Sequence, residues 1–390
     1  MSDDIGPGRC KDGCMENGKD QLNIVMLGHK RIPSREGGIE IVVEELSVRM
    51  AALGHRVTCL NRAGKHVSGK KFDAAGEKAY KGVGIKKVAT LDARGLAAMT
   101  SSVTGAFVAA FGKYDVVHFH AEGPCAMLWL PKLFGKRCVA TVHGLDHQRA
   151  KWGRFARAYI MLGEKCAVRF ADEIIVLSKN VQKYFKETYN RETVLIPNGV
   201  TKPKSLEADR ISNQFGLTKD SYILFLGRLV PEKGIHYLIE AYQKTQTDKK
   251  LVIAGGVSDS GPYGESLKEM AAGDERILFT DFVQGQVLEE LYSNAYIYVL
   301  PSDLEGMPLS LLEAMSYGNC CVVSDISECT EVVEDKACIF PKGSVDALAE
   351  CLRSLCEDNA SVNAMKTSST FVCDKYNWDD VTNRTLELYQ

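Results

Sequence analysis

At 390 residues with 45% hydrophobic content, the chain is long enough for two domains with their own cores, and no apolar run reaches the ~20 residues that span a bilayer, so a soluble or peripheral protein is expected. The net charge of −2 hides an asymmetry: residues 21–200 hold 28 Lys and Arg against 15 Asp and Glu, whereas residues 201–390 hold 17 against 30. A basic first half suits an anionic partner such as a phospholipid surface or a lipid diphosphate, and nucleic acid is not expected because no helix-turn-helix, zinc or aromatic RNA-binding motif accompanies the charge.

The first 20 residues, MSDDIGPGRCKDGCMENGKD, are polar and Gly-rich, lack a signal-peptide core and are expected to be disordered; Cys10 and Cys14 lie in this tail. The 13 cysteines are odd in number and spread through apparent strands and helices, which argues against a disulfide framework and for a reducing cytoplasm. LNIVMLG, Leu22 to Gly28, reads as a buried parallel strand, and REGGIEIVVEELSVRMAALGH supplies a loop and a helix. Gly37 and Gly38 have no Cβ, so backbone can approach a ligand there, and their amides lie near a helix N-terminus that favours anions.

VTCLN, DVVHFH, CVATVH, EIIVLS and TVLIPNG continue the series of strands. His143 ends the run CVATVH, which aims its imidazole from the carboxyl edge of the first sheet, where it can bond a hydroxyl in either protonation state. His118 and His120 share one face of DVVHFH; with His143 they could bind a metal, but no Cys or carboxylate spacing completes a recognisable site, and none is expected. KWGRFARAYIMLGEKCAVRF, Lys151 to Phe170, mixes basic residues with Trp152, Phe155, Tyr159 and Ile160 at helical spacing, which fits either a membrane-surface helix or a basic helix covering the core. Ser178 closes EIIVLS, and IPNGVTKPKS, Ile196 to Ser205, breaks the rhythm as the interdomain link, placing Asn198 and Gly199 at the junction.

YILFLG restarts the series and leads into GRLVPEKG, Gly227 to Gly234, where Arg228 and Lys233 stand five residues apart across a turn containing Pro231. Two cations at a strand's carboxyl edge suit a diphosphate: Arg grips two oxygens through its planar fork, and Lys acts as a compact charge. HYLIEAYQK reads as an amphipathic helix that gives this loop a fixed base, and KLVIAGG, ILFTDF, YIYVLP and CCVVSD supply further strands, with Cys320 and Cys321 packed in the last. After YIYVLPSD comes EGMPLSLLE, in which Glu305 sits in a turn with Gly306, Met307 and Pro308, and Leu309 leads a helix that carries Glu313 about two turns on. Two carboxylates facing one crevice suit a hydroxyl-rich ligand, with charge-assisted bonds contributing roughly 1.5 to 3 kcal/mol each. YNWDDVTNRTLELYQ closes the chain with a capped helix.

The Glu305 to Glu313 pattern, GRLVPEKG, the Gly37–Gly38 loop and His143, in this order, resemble the retaining glycosyltransferases of family four, and the resemblance covers nearly the whole chain after residue 20. It implies the GT-B architecture: two Rossmann-like, doubly wound parallel-sheet domains over 21–200 and 201–375, facing a deep cleft, with a last helix over 376–390 packed back on the first domain. It also implies that Glu305 contacts the transferred sugar, Glu313 the ribose, and Arg228 and Lys233 the leaving diphosphate, with His143 opposite the sugar. Gly37 and Gly38 would lie beside the diphosphate, and Gly306, Met307, Pro308 and Leu309 in the donor site. Ser178, Asn198 and Gly199 are further cleft candidates.

RIPSREGGIEIVVEEL and HGLDHQRAKWG resemble the subgroup containing bacterial rhamnosyltransferases of capsule and cell-wall polysaccharide synthesis. The expectation is a metal-independent, cofactor-free transferase, cytoplasmic or peripheral on the inner membrane face, that moves a sugar from a nucleotide-sugar donor to a lipid-linked saccharide acceptor. UDP offers both ribose hydroxyls to Glu313, which favours a UDP-hexose or hexosamine, while the subgroup points to dTDP-rhamnose; both stay open. The rivals are a nucleotide-sugar epimerase of the same fold and a noncatalytic nucleotide- or saccharide-binding subunit. An NAD dehydrogenase is the weakest, since no G-x-G-x-x-G follows the first strand.

Overall fold

The computed structural model describes residues 21–63, 78–91, 96–149, 152–256 and 261–390. The expectations for the tail 1–20, for Cys10 and Cys14, and for Lys151 fall outside the described residues. Among those described, the first sheet contains β1 (Asn23–Leu27), β2 (Arg56–Arg62), β3 (Ala79–Tyr80), β4 (Val83–Val88), β5 (Val116–His120), β6 (Arg137–Val142), β7 (Glu173–Val176) and β8 (Val194–Leu195), in the order β3-β4-β2-β1-β5-β6-β7-β8. The second contains β9 (Tyr222–Leu226), β10 (Lys250–Ala254), β11 (Ile277–Asp281), β12 (Ile297–Leu300), β13 (Cys320–Ser324) and β14 (Cys338–Phe340), in the order β11-β10-β9-β12-β13-β14.

Every pairing is parallel except β3 with β4, a short antiparallel edge. β3, β4 and β14 were not among the strands expected from sequence. VGIKKV in β4 carries two lysines and buries little beyond Val83 and Val88, and β14 has three residues, too few for a periodic signal.

Parallel strands covered on both faces need apolar residues at every position. Alternate residues of β1 do enter different cores: Ile24 and Met26 join a cluster continuous with the second domain, while Val25 and Leu27 join Phe119, Val142 and Phe185 on the other face. In β13 all five residues, CCVVS, are buried, including Cys320 and Cys321.

Each sheet has a point where strand order reverses, β1/β5 in the first and β9/β12 in the second, and ligands of doubly wound sheets bind outside the carboxyl ends at such points. His143, Arg228 and Glu305 all lie just beyond carboxyl ends of strands.

The helices used below are α1 (Gly38–Ala52), α2 (Leu96–Phe111), α3 (Trp129–Leu133), α4 (Arg154–Phe170) and α5 (Lys179–Tyr189). α4 turns Ile160, Gly163, Glu164 and Ala167 inward. A Cβ at Gly163 would lie 2.0 Å from the carbonyl oxygen of Glu122, so glycine lets the helix seat directly on that backbone. The other side of α4 exposes Arg154, Phe155 and Arg157. No helix among the described residues is long and apolar enough to cross a membrane.

The last helix, Trp378–Glu387, packs against α1 in the first domain. Arg49 Nε meets Asp379 Oδ1 at 2.8 Å, Arg137 Nε donates to the carbonyl of Leu388 at 2.8 Å, and Arg384 Nη2 donates to the carbonyl of Leu195 at 2.6 Å. Trp378, Val381, Leu386 and Tyr389 are buried. A Trp378→Ala variant should lose about 3–5 kcal/mol, the usual scale for emptying a large aromatic site, and thermal unfolding followed by circular dichroism would show the loss as a lowered Tm.

Candidate functional site

The loop after β9 begins at Gly227 and Arg228 and tightens into a 3-10 turn over Pro231–Lys233. Gly234 ends that turn at φ +65°, and a Cβ there would sit 2.0 Å from the Pro301 carbonyl oxygen. Glycine therefore lets this turn press against the end of β12, and the approach delivers Lys233 to Glu305. Lys233 Nζ lies 2.5 Å from Glu305 Oε1, and the Ser302 hydroxyl donates to the same oxygen at 2.6 Å. Both side chains are largely covered, at 13% and 10% exposure, so water screens the pair weakly. Both bonds fall on Oε1, which leaves Oε2 as the oxygen able to accept from a ligand. Arg228 is half-buried and makes no ion pair among the described residues.

Glu313 rides on the helix Leu309–Ser316 and is held by the Tyr292 hydroxyl, 3.1 Å from its Oε2. Burial raises the Glu313 carboxyl above its ordinary pKa, opposed by the positive charge of Arg35 and by the Tyr292 bond. Arg35 belongs to the first domain, so the second glutamate is read by both domains. A Cβ built on Gly38 would contact Leu309 Cδ1 at 3.4 Å. The N-termini of α1 and of Leu309–Ser316 thus converge, capped by Gly37 and Pro308. First-turn amides have no partner within their own helix and carry the positive end of the dipole, so the junction favours an anion.

His143 stands across from these groups. Its Nε2 is 3.1 Å from Nδ1 of His120, whose ring lies against His118 with centroids 4.2 Å apart. His118 is in turn held by the Tyr389 hydroxyl at Nδ1, 2.6 Å, and by Thr141 Oγ1 at Nε2, 2.7 Å. His118, committed on both nitrogens, does not join the other two as a metal ligand. Beside His143 the backbones of the two domains meet, since a Cβ at Gly306 would fall 1.7 Å from the His143 carbonyl oxygen.

The remaining candidates do other work. Ser178 caps α5, its Oγ accepting from the Val181 amide at 3.3 Å, and its side chain is buried. Asn198 grips the turn of the second domain, its Nδ2 donating to the Met307 carbonyl at 3.2 Å and its amide meeting Met307 Sδ at 3.0 Å. Gly199 faces the Trp378 ring, which a Cβ would approach to 2.5 Å. These three residues join segments.

Sequence reasoning missed Ser302, Tyr292 and Arg35, which hold or bias the two glutamates, and His120 as the partner of His143. It also missed Arg149, whose Nε binds Asp146 at 2.8 Å and whose Nη1 faces Glu232 across the cleft at 3.7 Å. Arg35 and Arg149 lie within RIPSREGG and HGLDHQRAKWG, so the segments were visible although the partners were not.

Burial lowers the His143 pKa to about 4, with Asp146 and Glu40 opposing the shift and Arg149 reinforcing it; His29 falls to about 4 and His118 to about 3, also through burial. These imidazoles are neutral in the folded protein, while in the unfolded chain they take up protons near 6.5. Between those values the unfolded state binds more protons, so stability is fully present above about pH 6.5 and is lost as pH falls towards 4. Tm should follow that course. Nitrogen-15 imidazole spectra of the native protein should show His143 unchanged between about pH 8 and 5.5; a titration near 6.5 would contradict its buried, neutral state.

Two family models match successive parts of the chain: "Glycosyltransferase Family 4" over residues 36–202 and "Glycosyl transferases group 1" over residues 207–370. The chain is 26% identical over 367 residues to the phosphatidyl-myo-inositol mannosyltransferase of Mycobacterium leprae, covering 91% of this chain and 93% of the relative. It is 27% identical over 300 residues to the UDP-Gal:alpha-D-GlcNAc-diphosphoundecaprenol alpha-1,3-galactosyltransferase of Escherichia coli, covering 71% and 75%. Among solved structures, Anabaena HepE in complex with UDP and glucose superposes with a TM-score of 0.78 at 16% identity, over 94% of this chain and 99% of that one.

Proposed function

From a chain that belongs to the family 4 glycosyltransferases of GT-B architecture, we propose a retaining enzyme that moves a hexose from a UDP-sugar to a hydroxyl of a lipid-linked saccharide in cell-envelope polysaccharide synthesis. The observation that carries this reading is the Lys233–Glu305 pair, set beside an Arg228 with no ion pair among the described residues. A diphosphate needs cations on one side and its sugar needs a carboxylate on the other. Lys233 spans both.

In the proposed reaction the bond from the anomeric carbon to the diphosphate breaks as the acceptor oxygen bonds to the same face of the sugar, and the acceptor's proton passes to the departing phosphate oxygen. Arg228, Lys233 and the two helix N-termini meet the charge that grows there, so no divalent cation is needed at the diphosphate. Glu305 Oε2 and the neutral His143 position the sugar, and Glu313 takes the ribose hydroxyls. The Escherichia coli relative, whose name specifies UDP-Gal and a diphosphoundecaprenol acceptor, supports this donor and acceptor class. The competing rhamnosyl reading rests on two sequence segments, and dTDP-rhamnose belongs in the donor panel.

Arg228→Ala and Lys233→Ala should each lower kcat by at least ~100-fold, the scale of lost transition-state electrostatics, with the fold retained. Calorimetric titration with UDP should show weaker binding in Glu313→Gln and near-normal binding in Glu305→Gln, whose loss appears in transfer. Near-normal turnover of both cation variants, or equal loss of UDP affinity in both glutamate variants, would refute the assignment. A radiolabelled donor panel with and without lipid extract separates transfer from epimerisation and from binding alone.

Docking of the first domain on an anionic membrane is part of the same reading. Phe107, Phe111, Leu133 and Phe134, at the end of α2 and on and after α3, are 49%, 66%, 74% and 49% exposed, with Phe111 and Phe134 rings 4.6 Å apart, and α4 adds Phe155 at 74%. Exposed Lys113, Arg154 and Arg157 accompany them. Aromatic and aliphatic tips with adjacent cations suit the headgroup boundary of acidic lipid. Liposome flotation should require acidic lipid, weaken with salt, and fall in Phe111→Ser/Leu133→Ser and in Arg154→Gln/Arg157→Gln. Binding indifferent to salt and to both double variants would sink the docking model.

A further inference from the structure

Behind the cleft loop, Glu122, His147 and Glu164 converge from three segments: the end of β5, the turn after β6, and the middle of α4. One ligand-type atom from each lies within 4.8 Å of the other two. Glu122 and Glu164 are completely buried. Each carboxylate has one oxygen engaged. Glu122 Oε2 accepts from the Asp146 amide at 2.8 Å, and Glu164 Oε1 accepts from the Tyr184 hydroxyl at 2.9 Å and from that of Tyr189.

The other oxygens, Glu122 Oε1 and Glu164 Oε2, have no hydrogen-bond partner among the described residues, and neither has His147 Nδ1. These are the atoms that face one another: His147 Nδ1 is 3.3 Å from Glu164 Oε2 and 3.9 Å from Glu122 Oε1.

We propose that Glu122, His147 and Glu164 form a structural site for a first-row divalent cation, with Zn2+ the best match. One imidazole, a borderline ligand, with two carboxylates, harder ones, suits Zn2+ and, less closely, Mn2+ or Fe2+. Ligands about 2.0–2.1 Å from a tetrahedral Zn2+ stand roughly 3.3 Å apart; the His147–Glu164 separation equals this, while Glu122 Oε1, 3.9 Å from His147 Nδ1, would draw in by about half an ångström on binding. The outer bonds from Tyr184, Tyr189 and the Asp146 amide orient the two carboxylates as metal sites require.

Burial, with Glu164 and Asp146 as neighbours, holds the Glu122 carboxyl well above its ordinary range, and a cation would supply the missing counter-charge. Its consequence is mechanical. The His147 segment also carries Asp146 and Arg149, so the ion would pin to α4 the turn that presents Arg149 to Glu232 across the cleft.

The test uses the full chain without an affinity tag. After chelation and dialysis, titration with Zn2+ should load one equivalent and raise the Tm of the 390-residue chain by about 3 °C at a free concentration a hundredfold above Kd. Co2+ in its place should give ligand-field bands without the thiolate charge-transfer absorption that cysteine ligation would produce. His147→Ala, at a partly exposed position, and Glu122→Gln should abolish both the loading and the Tm gain. If either variant is unfolded, the wild-type titration and Co2+ spectrum decide. No stoichiometric loading, a thiolate spectrum, or undiminished loading in folded variants overturns the proposal and leaves the trio as a carboxyl pair sharing a proton beside a histidine.

Discussion

The cleft is set by a contact with no side chain in it. Gly306 lies under the His143 carbonyl so closely that a Cβ would fall 1.7 Å from the oxygen, and one at Gly144 would come within 3.0 Å of the Gly306 Cα. Backbone on backbone is the shortest separation two domains can have, and every other cross-cleft distance is measured from it. Asn198 holds the next residue, Met307, and Gly38 abuts Leu309 one helical step on. Arg149 then reaches Glu232 from the opposite flank. Because the three glycines carry no side chain, the backbone at His143 and Gly144 lies directly against that at Glu305 and Gly306.

Within the cleft charge is arranged in opposition. The first domain contributes neutral imidazoles and the second contributes the Lys233–Glu305 pair, so the cation is partly neutralised while the carboxylate keeps one oxygen available. Glu313 is handled differently, by burial, a tyrosine hydroxyl and a distant arginine. Two glutamates eight residues apart in sequence thereby acquire different properties from their neighbours.

The placement of the second domain's candidate residues was legible in the sequence because they sit in short motifs directly after apolar strands: Arg228 and Lys233 after YILFLG, Glu305 after YIYVLPSD. Position after a strand fixes the edge, and the edge fixes the cleft. The first domain was less readable. Its sheet gains β3, only two residues long, and β4, whose two lysines mask the strand pattern, and its polar centre is assembled by pairs distant in the chain, such as His118 with Tyr389 or Glu122 with Glu164. Local periodicity carries no record of such partners. Ser178 and Asn198 show the reverse: both are near the cleft by sequence, yet their polar atoms are committed to a helix cap and to an interdomain bond.

The final helix belongs spatially to the domain that begins the chain. Trp378, Val381, Leu386 and Tyr389 close the face that α1 and β5 leave open, and Tyr389 completes the hydrogen bonding of His118 inside the first sheet. On the ribosome the first domain emerges early, since domains generally form in the order of synthesis. Here that order cannot finish the job. The apolar flank of α1 and the buried imidazole wait, uncovered, until the whole second domain has been made. A nascent chain must therefore spend the synthesis of its second domain with an adhesive surface exposed, which makes the newborn first domain a natural client for chaperones and ties its completion to the emergence of the helix Trp378–Glu387.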